Sequence, residues 1–230
     1  MHERTAFLGD LGMAMVVILA GIGYALLGAA AERLASVWPV EEASRRRPGW
    51  RTALLAFAAG GAAGGLVWRS QLPAWATGVD LAMLALMIGL TATDLDQRRL
   101  PHLLLDPLIA LAVVFVPFNP SVRPLDAVIG AASSLALLWV LGRLVRGGLA
   151  TGDLYLMAPI GLLLGWPSVF LAIFVAALLS AAASLLLLAR GSVGLKSYIP
   201  FGPFLVAGAV VTLLREPQLL GQVAALLPIR

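Results

Sequence analysis

An all-α, polytopic membrane helix bundle of about eight transmembrane helices, with no soluble domain, is the fold class this sequence predicts. Two observations carry that expectation. Hydrophobic residues make up 60% of the 230-residue chain and charged residues only 12%, where a soluble domain carries about 25% charged. The apolar residues also fall into long uncharged runs, with most of the Arg, Asp and Pro residues placed between them.

The first run, from Leu11 to Ala31, is preceded by His2, Glu3, Arg4 and Asp10. It exceeds the roughly 7–15 residues of a secretory h-region and lacks a purely basic lead, so it reads as a retained first span. Further runs lie at 52–68, 75–93, 103–118, 126–142, 153–166, 168–189 and 198–214, each measured against the ~20 residues that cross a hydrocarbon core. The stretches after Pro107, Asp126 and Asp153 are short by that measure. The apolar stretch 154–189 is too long for one crossing, and Pro167 after Trp166 divides it at a tight hairpin. No linker, acidic tail or internal repeat divides the chain, so residues 1–230 read as one domain.

With eight crossings and an outer N-terminus, the inner side receives Arg33, Arg45, Arg46, Arg47, Arg51, Arg98, Arg99, Arg143, Arg146, Arg190 and Lys196. The outer side keeps Arg4, Arg69, Arg123, Arg215 and Arg230. That asymmetry is the positive-inside pattern, and it accounts for the net charge of +4 without a nucleic-acid partner. The most hydrophilic segment, Arg33 to Arg51, holds the triple arginine 45–47 and reads as a cytoplasmic anchoring loop. Gly60-Gly61-Ala62-Ala63-Gly64-Gly65 contains two overlapping GxxxG spacings, which suit close helix packing within the chain.

The chain has no cysteine, which excludes disulfides, thiolate metal sites and thiol catalysis. Two histidines, His2 and His102, are too few for a metal centre, and no cofactor is expected. The chemistry therefore falls to carboxylates. Asp94, in Thr93-Asp94-Leu95-Asp96-Gln97-Arg98-Arg99-Leu100-Pro101, and Asp153, after Gly152, stand at the ends of apolar runs, where an acid is costly unless it faces protein or water. The topology puts both on the cytoplasmic side. Two carboxylates sharing one proton supply a general acid and a general base together, which is what aspartic proteolysis requires. Residues two apart on a helix point about 200° from each other, so at most one of Asp94 and Asp96 can face Asp153.

Asp80 and Asp126 read as interfacial or capping acids, Asp106 as the cap of a helix opened by Pro107, and His102 as a surface residue. Pro200, Gly202 and Pro203 read as a helix irregularity that protein must shield from lipid. The stretch from Gln218 to Ile229 reads as interfacial.

Three motifs in order, Asp94-Leu95-Asp96-Gln97-Arg98-Arg99-Leu100-Pro101, Gly152-Asp153, and Ile199-Pro200-Phe201-Gly202-Pro203-Phe204-Leu205, resemble those of the type IV prepilin peptidases, membrane aspartic proteases of the GxGD group. The resemblance implies that Asp94 and Asp153 are the catalytic pair. It also implies that Gly152, Pro101, Pro200, Phe201, Gly202 and Pro203 line the site, with Lys196 as the nearest cation. It implies a prepilin or pseudopilin substrate whose basic leader is cut at the cytoplasmic face of the bacterial inner membrane. The chain departs from the family's pattern in four places. The Arg33–Arg51 loop lacks the Cys-x-x-Cys pairs associated with zinc and with methyl transfer, so a methyltransferase is not expected. Tyr155 replaces a lysine, His102 an acid, and Ala150 the first glycine of GxGD. Two rivals follow: a catalytically degenerate homologue acting as an assembly or scaffold subunit, and a proton-coupled transporter. The oligomeric state is left open.

Overall fold

The computed structural model of the chain describes residues 2–38, 47–144, 151–191 and 200–226, with side chains described between 11 and 215. Among these residues the fold is all-helical: α1 (His2–Ala35), α2 (Trp50–Arg69), α3 (Ala74–Gln97), α4 (His102–Phe115), α5 (Pro124–Leu144), α6 (Thr151–Leu164), α7 (Ser168–Ala189) and α8 (Gly202–Leu226). A short 3₁₀ turn, Val116–Phe118, follows α4. Four segments are long and apolar enough to cross a membrane: Leu11–Ala35, Ala74–Gln97, Pro124–Leu144 and Ser168–Ala189. His102–Phe118, Thr151–Leu164 and Gly202–Arg215 are apolar but shorter. The molecule is a multi-pass membrane helix bundle, and its helices fall on the eight expected runs.

The chain forms two compact units, Met1–Ser121 and Val122–Arg230. In the first, α1 and α2 run antiparallel in close contact. A Cβ added at Gly28 would lie 2.8 Å from the Leu55 carbonyl oxygen, and one at Gly60 would lie 2.7 Å from that of Gly21. Such spacing admits only glycine, and the contact replaces lipid with protein along the whole hairpin. Of the two GxxxG spacings, the 60/64 pair faces α1, whereas a Cβ at Gly61 would meet nothing within 4 Å. The Tyr24 hydroxyl donates to the Leu81 carbonyl at 2.6 Å, which sets α3 parallel to α1. Helix α4 then returns along α3, with Trp75 and Phe115 edge to face at 6.2 Å and Leu104 pressed on Gly89. The buried face of α3 is the stripe Ala76, Asp80, Met83, Met87, Leu90 and Asp94, at the alternating spacing of three and four that defines one side of a helix.

In the second unit, α5 and α6 are also antiparallel and meet through glycines. A Cβ at Gly130 would lie 2.6 Å from the Gly165 carbonyl carbon, and one at Gly161 would lie 2.6 Å from the Ala131 Cα. The expected hairpin near Pro167 is present: α6 ends at Leu164 and α7 begins at Ser168. Gly165 turns the chain with φ +66°, a conformation that disfavours any side chain. The Trp166 N–H ties the turn to the Asp126 carbonyl at 2.9 Å. Gly208 of α8 packs directly on the Ala172 carbonyl of α7.

Several local expectations are corrected. Asp106 does not cap a helix at Pro107, because α4 already begins at His102 behind Pro101. Asp106 instead pairs with His102, its Oδ1 3.0 Å from His102 Nδ1. Pro200 stands ahead of α8, which starts at Gly202 with Pro203 in its first turn. Proline is readily accepted in a first turn, where its missing N–H would have no intrahelical partner. Asp80 lies seven residues into α3 and is only 8% exposed, too far inside to cap it. Helix α1 continues to Ala35 and α2 starts at Trp50, so Arg33 and Arg51 are helical rather than part of a loop; residues 39–46 between them lie outside those described. Asp126 does occupy a first helical turn, where Arg123 Nε donates to its Oδ2 at 2.7 Å.

The contrast between neighbouring glycines is testable. Gly60→Ala, which drives a methyl into the Gly21 carbonyl, is expected to lower detergent stability by about 1–3 kcal/mol. Gly61→Ala faces open space and is expected to be neutral or to stabilise by up to about 1 kcal/mol. Thermal unfolding of the two variants in the same detergent checks both.

Candidate active site

Each aspartate singled out by the sequence is buried, Asp94 in a helix of the first unit and Asp153 in a helix of the second. Asp94 is 6% exposed in the last full turn of α3, and Asp153 is 2% exposed in the first turn of α6. Asp96 is half-buried and Leu95 is exposed. Every position from Leu90 to Asp94 is buried, and the burial ends there, one turn before the end of α3. Of the two acids in the first motif, the inward one is Asp94.

The turn that carries Asp94 ends abruptly. Arg98 caps α3 in the left-handed region at φ 54°, and its N–H donates to the Asp94 carbonyl at 2.9 Å. Glycine usually occupies this position, because a Cβ there clashes with backbone. Among the described residues Arg98 is the only non-glycine with positive φ. Two bonds from the preceding residue hold the turn in place: Gln97 Nε2 donates to the Ala35 carbonyl at 2.7 Å and to the Trp38 carbonyl at 3.0 Å. Those acceptors lie at the end of α1, where carbonyls lack intrahelical donors. Below them Ala35, Leu55 and Ala92 form a small apolar cluster joining α1, α2 and α3. Pro101, expected to line the site, is the N-cap of α4, a short connection beyond Arg98. This unit therefore brings Asp94 and Pro101 to one corner.

Sequence reasoning missed three polar residues at this end of the first unit. Gln97 is one. Glu32, 7% exposed on α1, accepts a 2.8 Å hydrogen bond at Oε2 from the Thr52 hydroxyl, and Thr52 Oγ1 in turn accepts the Gly49 N–H at 3.2 Å. Thr91 is the third. Thr93 returns its hydroxyl to the Gly89 and Leu90 carbonyls, the usual recourse of a helical threonine. The buried Thr91 hydroxyl, one turn before Asp94, has no hydrogen-bond partner among the described residues. A legible signal existed for Thr91 and Gln97, which stand three residues either side of Asp94 and so share its edge of the helix. Glu32 gave none, because an acid beside Arg33 reads as part of a solvated charge pair.

In the second unit Asp153 follows Gly152 at the start of α6. The unpaired N–H groups of a helix start favour a carboxylate there. Helix α8, which packs on both α6 and α7, begins with Gly202 and Pro203. Gly202 is buried, whereas Pro200, Phe201 and Pro203 are partly exposed. The Phe201 carbonyl accepts from the Phe204 and Leu205 N–H groups at 3.0 and 3.1 Å, opening the helix. Lys196, Ala150 and Ile199 lie outside the described residues. Among the described residues no three His, Asp or Glu side chains converge as a metal-binding group.

Residues 81–185, which include both aspartates, match the model of the type IV leader peptidase family. That segment is similar to the family. The Prepilin leader peptidase/N-methyltransferase of Burkholderia pseudomallei (strain 1026b) is 33% identical over 146 residues, 61% of this chain and 47% of that protein. Proteins of the same name from Aeromonas hydrophila and Bacillus subtilis (strain 168) are 32% identical over 147 residues and 28% identical over 141 residues. The first match covers 62% of this chain and 51% of the relative, the second 58% and 54%. The chain spans about half the length of the curated relatives it matches. No solved structure matches it. Within the leader peptidase segment, the departures at positions 102 and 155 fall on outward-facing side chains: Tyr155 is 53% exposed and His102 is exposed. Tyr155, two residues beyond Asp153, points away from the buried side of α6.

The Glu32–Thr52 bond predicts a stability effect separate from any activity. Thr52→Val keeps the shape and removes the donor, leaving a buried carboxylate oxygen short of one bond. Detergent stability is expected to fall by about 1–2 kcal/mol, measured by thermal unfolding, while Thr52→Ser retains most of it.

Proposed function

We propose that this protein is a membrane aspartic endopeptidase that removes the basic leader from type IV prepilins or pseudopilins at the cytoplasmic face of the bacterial inner membrane. The observation that carries the reading is the placement of the family's segment: residues 81–185 contain both acids, and each is buried at the end of an apolar helix. An acid so placed beside lipid calls for a purpose that outweighs its desolvation.

In the proposed mechanism Asp94 and Asp153 act as one pair holding one proton, because two neighbouring carboxylates cannot both ionise readily. The ionised member takes a proton from water as the oxygen attacks the scissile carbonyl. The protonated member donates to that carbonyl oxygen, and the proton gained from water passes to the departing amine. Pro101, Gly152 and the Pro200–Pro203 segment would line the path of the substrate, with Lys196 as a nearby cation. The full chain 1–230 would act as a single peptidase domain, its leader-binding side being the arginine-rich face that the positive-inside pattern puts in the cytoplasm. The relatives' name also includes an N-methyltransferase. Methyl transfer is left out of the proposal because the segment from Arg33 to Arg51 contains no cysteine.

Asp94→Asn and Asp153→Asn are each expected to lower leader removal by about 10²–10⁴-fold, with normal insertion into the membrane, while Asp96→Asn stays close to wild type. The check is cleavage of a pilin-like substrate bearing a short basic leader, followed by gel shift. Wild-type rates from either of the first two variants would overturn the mechanism. Tyr155→Lys separates an active enzyme from a degenerate homologue: its rate is expected to stay within a few-fold of wild type, and activity that arises only with the lysine would favour degeneration.

A further inference from the structure

We propose that Gln97 is a positioning residue for Asp94, holding the final turn of α3 in the orientation that presents this carboxylate. The inference rests on the proposed role of Asp94 and extends it to a residue outside the catalytic pair. Four observations meet at this turn. Gln97 uses both hydrogens of one amide nitrogen to reach two carbonyls, Ala35 at 2.7 Å and Trp38 at 3.0 Å, some sixty positions earlier in the chain. The next residue, Arg98, occupies the left-handed region at φ 54°, where a residue with a Cβ persists only if its surroundings impose it. The Arg98 N–H donates to the Asp94 carbonyl itself at 2.9 Å, which couples the strained cap to the residue it must orient. Finally, Asp94 and Gln97 are three positions apart and so are neighbours on the same edge of the helix.

A frayed last turn is the default for a helix ending next to a loop. The two bonds of Gln97 prevent that by fixing the turn to the end of α1, whose carbonyls need donors in any case. Because the side chain acts through donors rather than bulk, an isosteric group without them fails. In Gln97→Glu the ionised carboxylate repels both carbonyls. Once protonated, the introduced carboxyl regains one hydrogen to donate. The variant therefore carries a pH signature that a space-filling role lacks.

The experiment measures kcat and KM for leader cleavage by the full chain and its variants in detergent or liposomes between about pH 5 and 8. For Gln97→Glu at neutral pH, kcat is expected to fall by about 10- to 100-fold with KM unchanged, the size of loss that follows misplacement of a catalytic group. Its rate relative to wild type is expected to rise as the pH is lowered. Gln97→Ala, which removes the donors without adding charge, is expected to show the same loss with no recovery in acid; it also serves if Gln97→Glu does not accumulate in the membrane. Wild-type kcat in Gln97→Ala, or a loss confined to KM, would overturn the inference. Asp94→Asn, measured in parallel, separates the two levels. Cleavage by that variant at the wild-type rate removes the aspartic mechanism itself. Abolished cleavage there, alongside an unaffected Gln97→Ala, removes only the positioning role.

Discussion

A carboxylate or an unpaired carbonyl has no place in hydrocarbon, and this constraint shapes both units of the protein. The helices satisfy their own backbone groups except at their ends, and the polar side chains are concentrated where those ends need them. Helix α3 shows the pattern most clearly. Its buried stripe carries an acid near each end, Asp80 and Asp94, with Met83, Met87 and Leu90 between them. Both acids are kept from lipid by packing against protein. Polar groups in the same region bond to backbone or to one another: Gln97 to the end of α1, Thr52 to Glu32, and Tyr24 to the Leu81 carbonyl.

Close approach between helices is the second requirement, and glycine meets it. Between helices in lipid there is no water to expel, so association depends on direct contact and on hydrogen bonds. Gly28 and Gly60 bring α1 and α2 within reach of each other's backbone, and Gly130 and Gly161 do the same for α5 and α6. The α1–α2 hairpin then presents the end of α1 to Gln97, and the α5–α6 hairpin fixes the helix whose first turn carries Asp153. The small residues far from either acid thus determine where each acid is held.

Much of this was legible in the sequence. Hydropathy and breakers located the eight helices of the described residues, six of them to within a few residues; α1 begins nine residues before its expected run and α8 ends twelve beyond its own, and Pro167 marked a turn that the structure contains. Asp94 was separable from Asp96 only by appeal to family resemblance, since helical spacing excludes one of the two without saying which. Burial distinguishes the two: Asp94 is buried and Asp96 is half-buried. Asp106 was misassigned because proline marks a helix boundary without saying on which side the helix lies; α4 begins just after Pro101, and Pro107 is accommodated within it.

The sequence by itself determined the solvent of this protein, the number of helices among its described residues and the exclusion of thiol chemistry, because composition, run length and the lack of cysteine act locally and need no partner. Tertiary structure alone decided which acids are buried, which of the two glycine spacings is used, and that Gln97 reaches the end of α1. Those outcomes depend on which backbone stands opposite which, and residues some sixty positions apart meet only once the helices have packed.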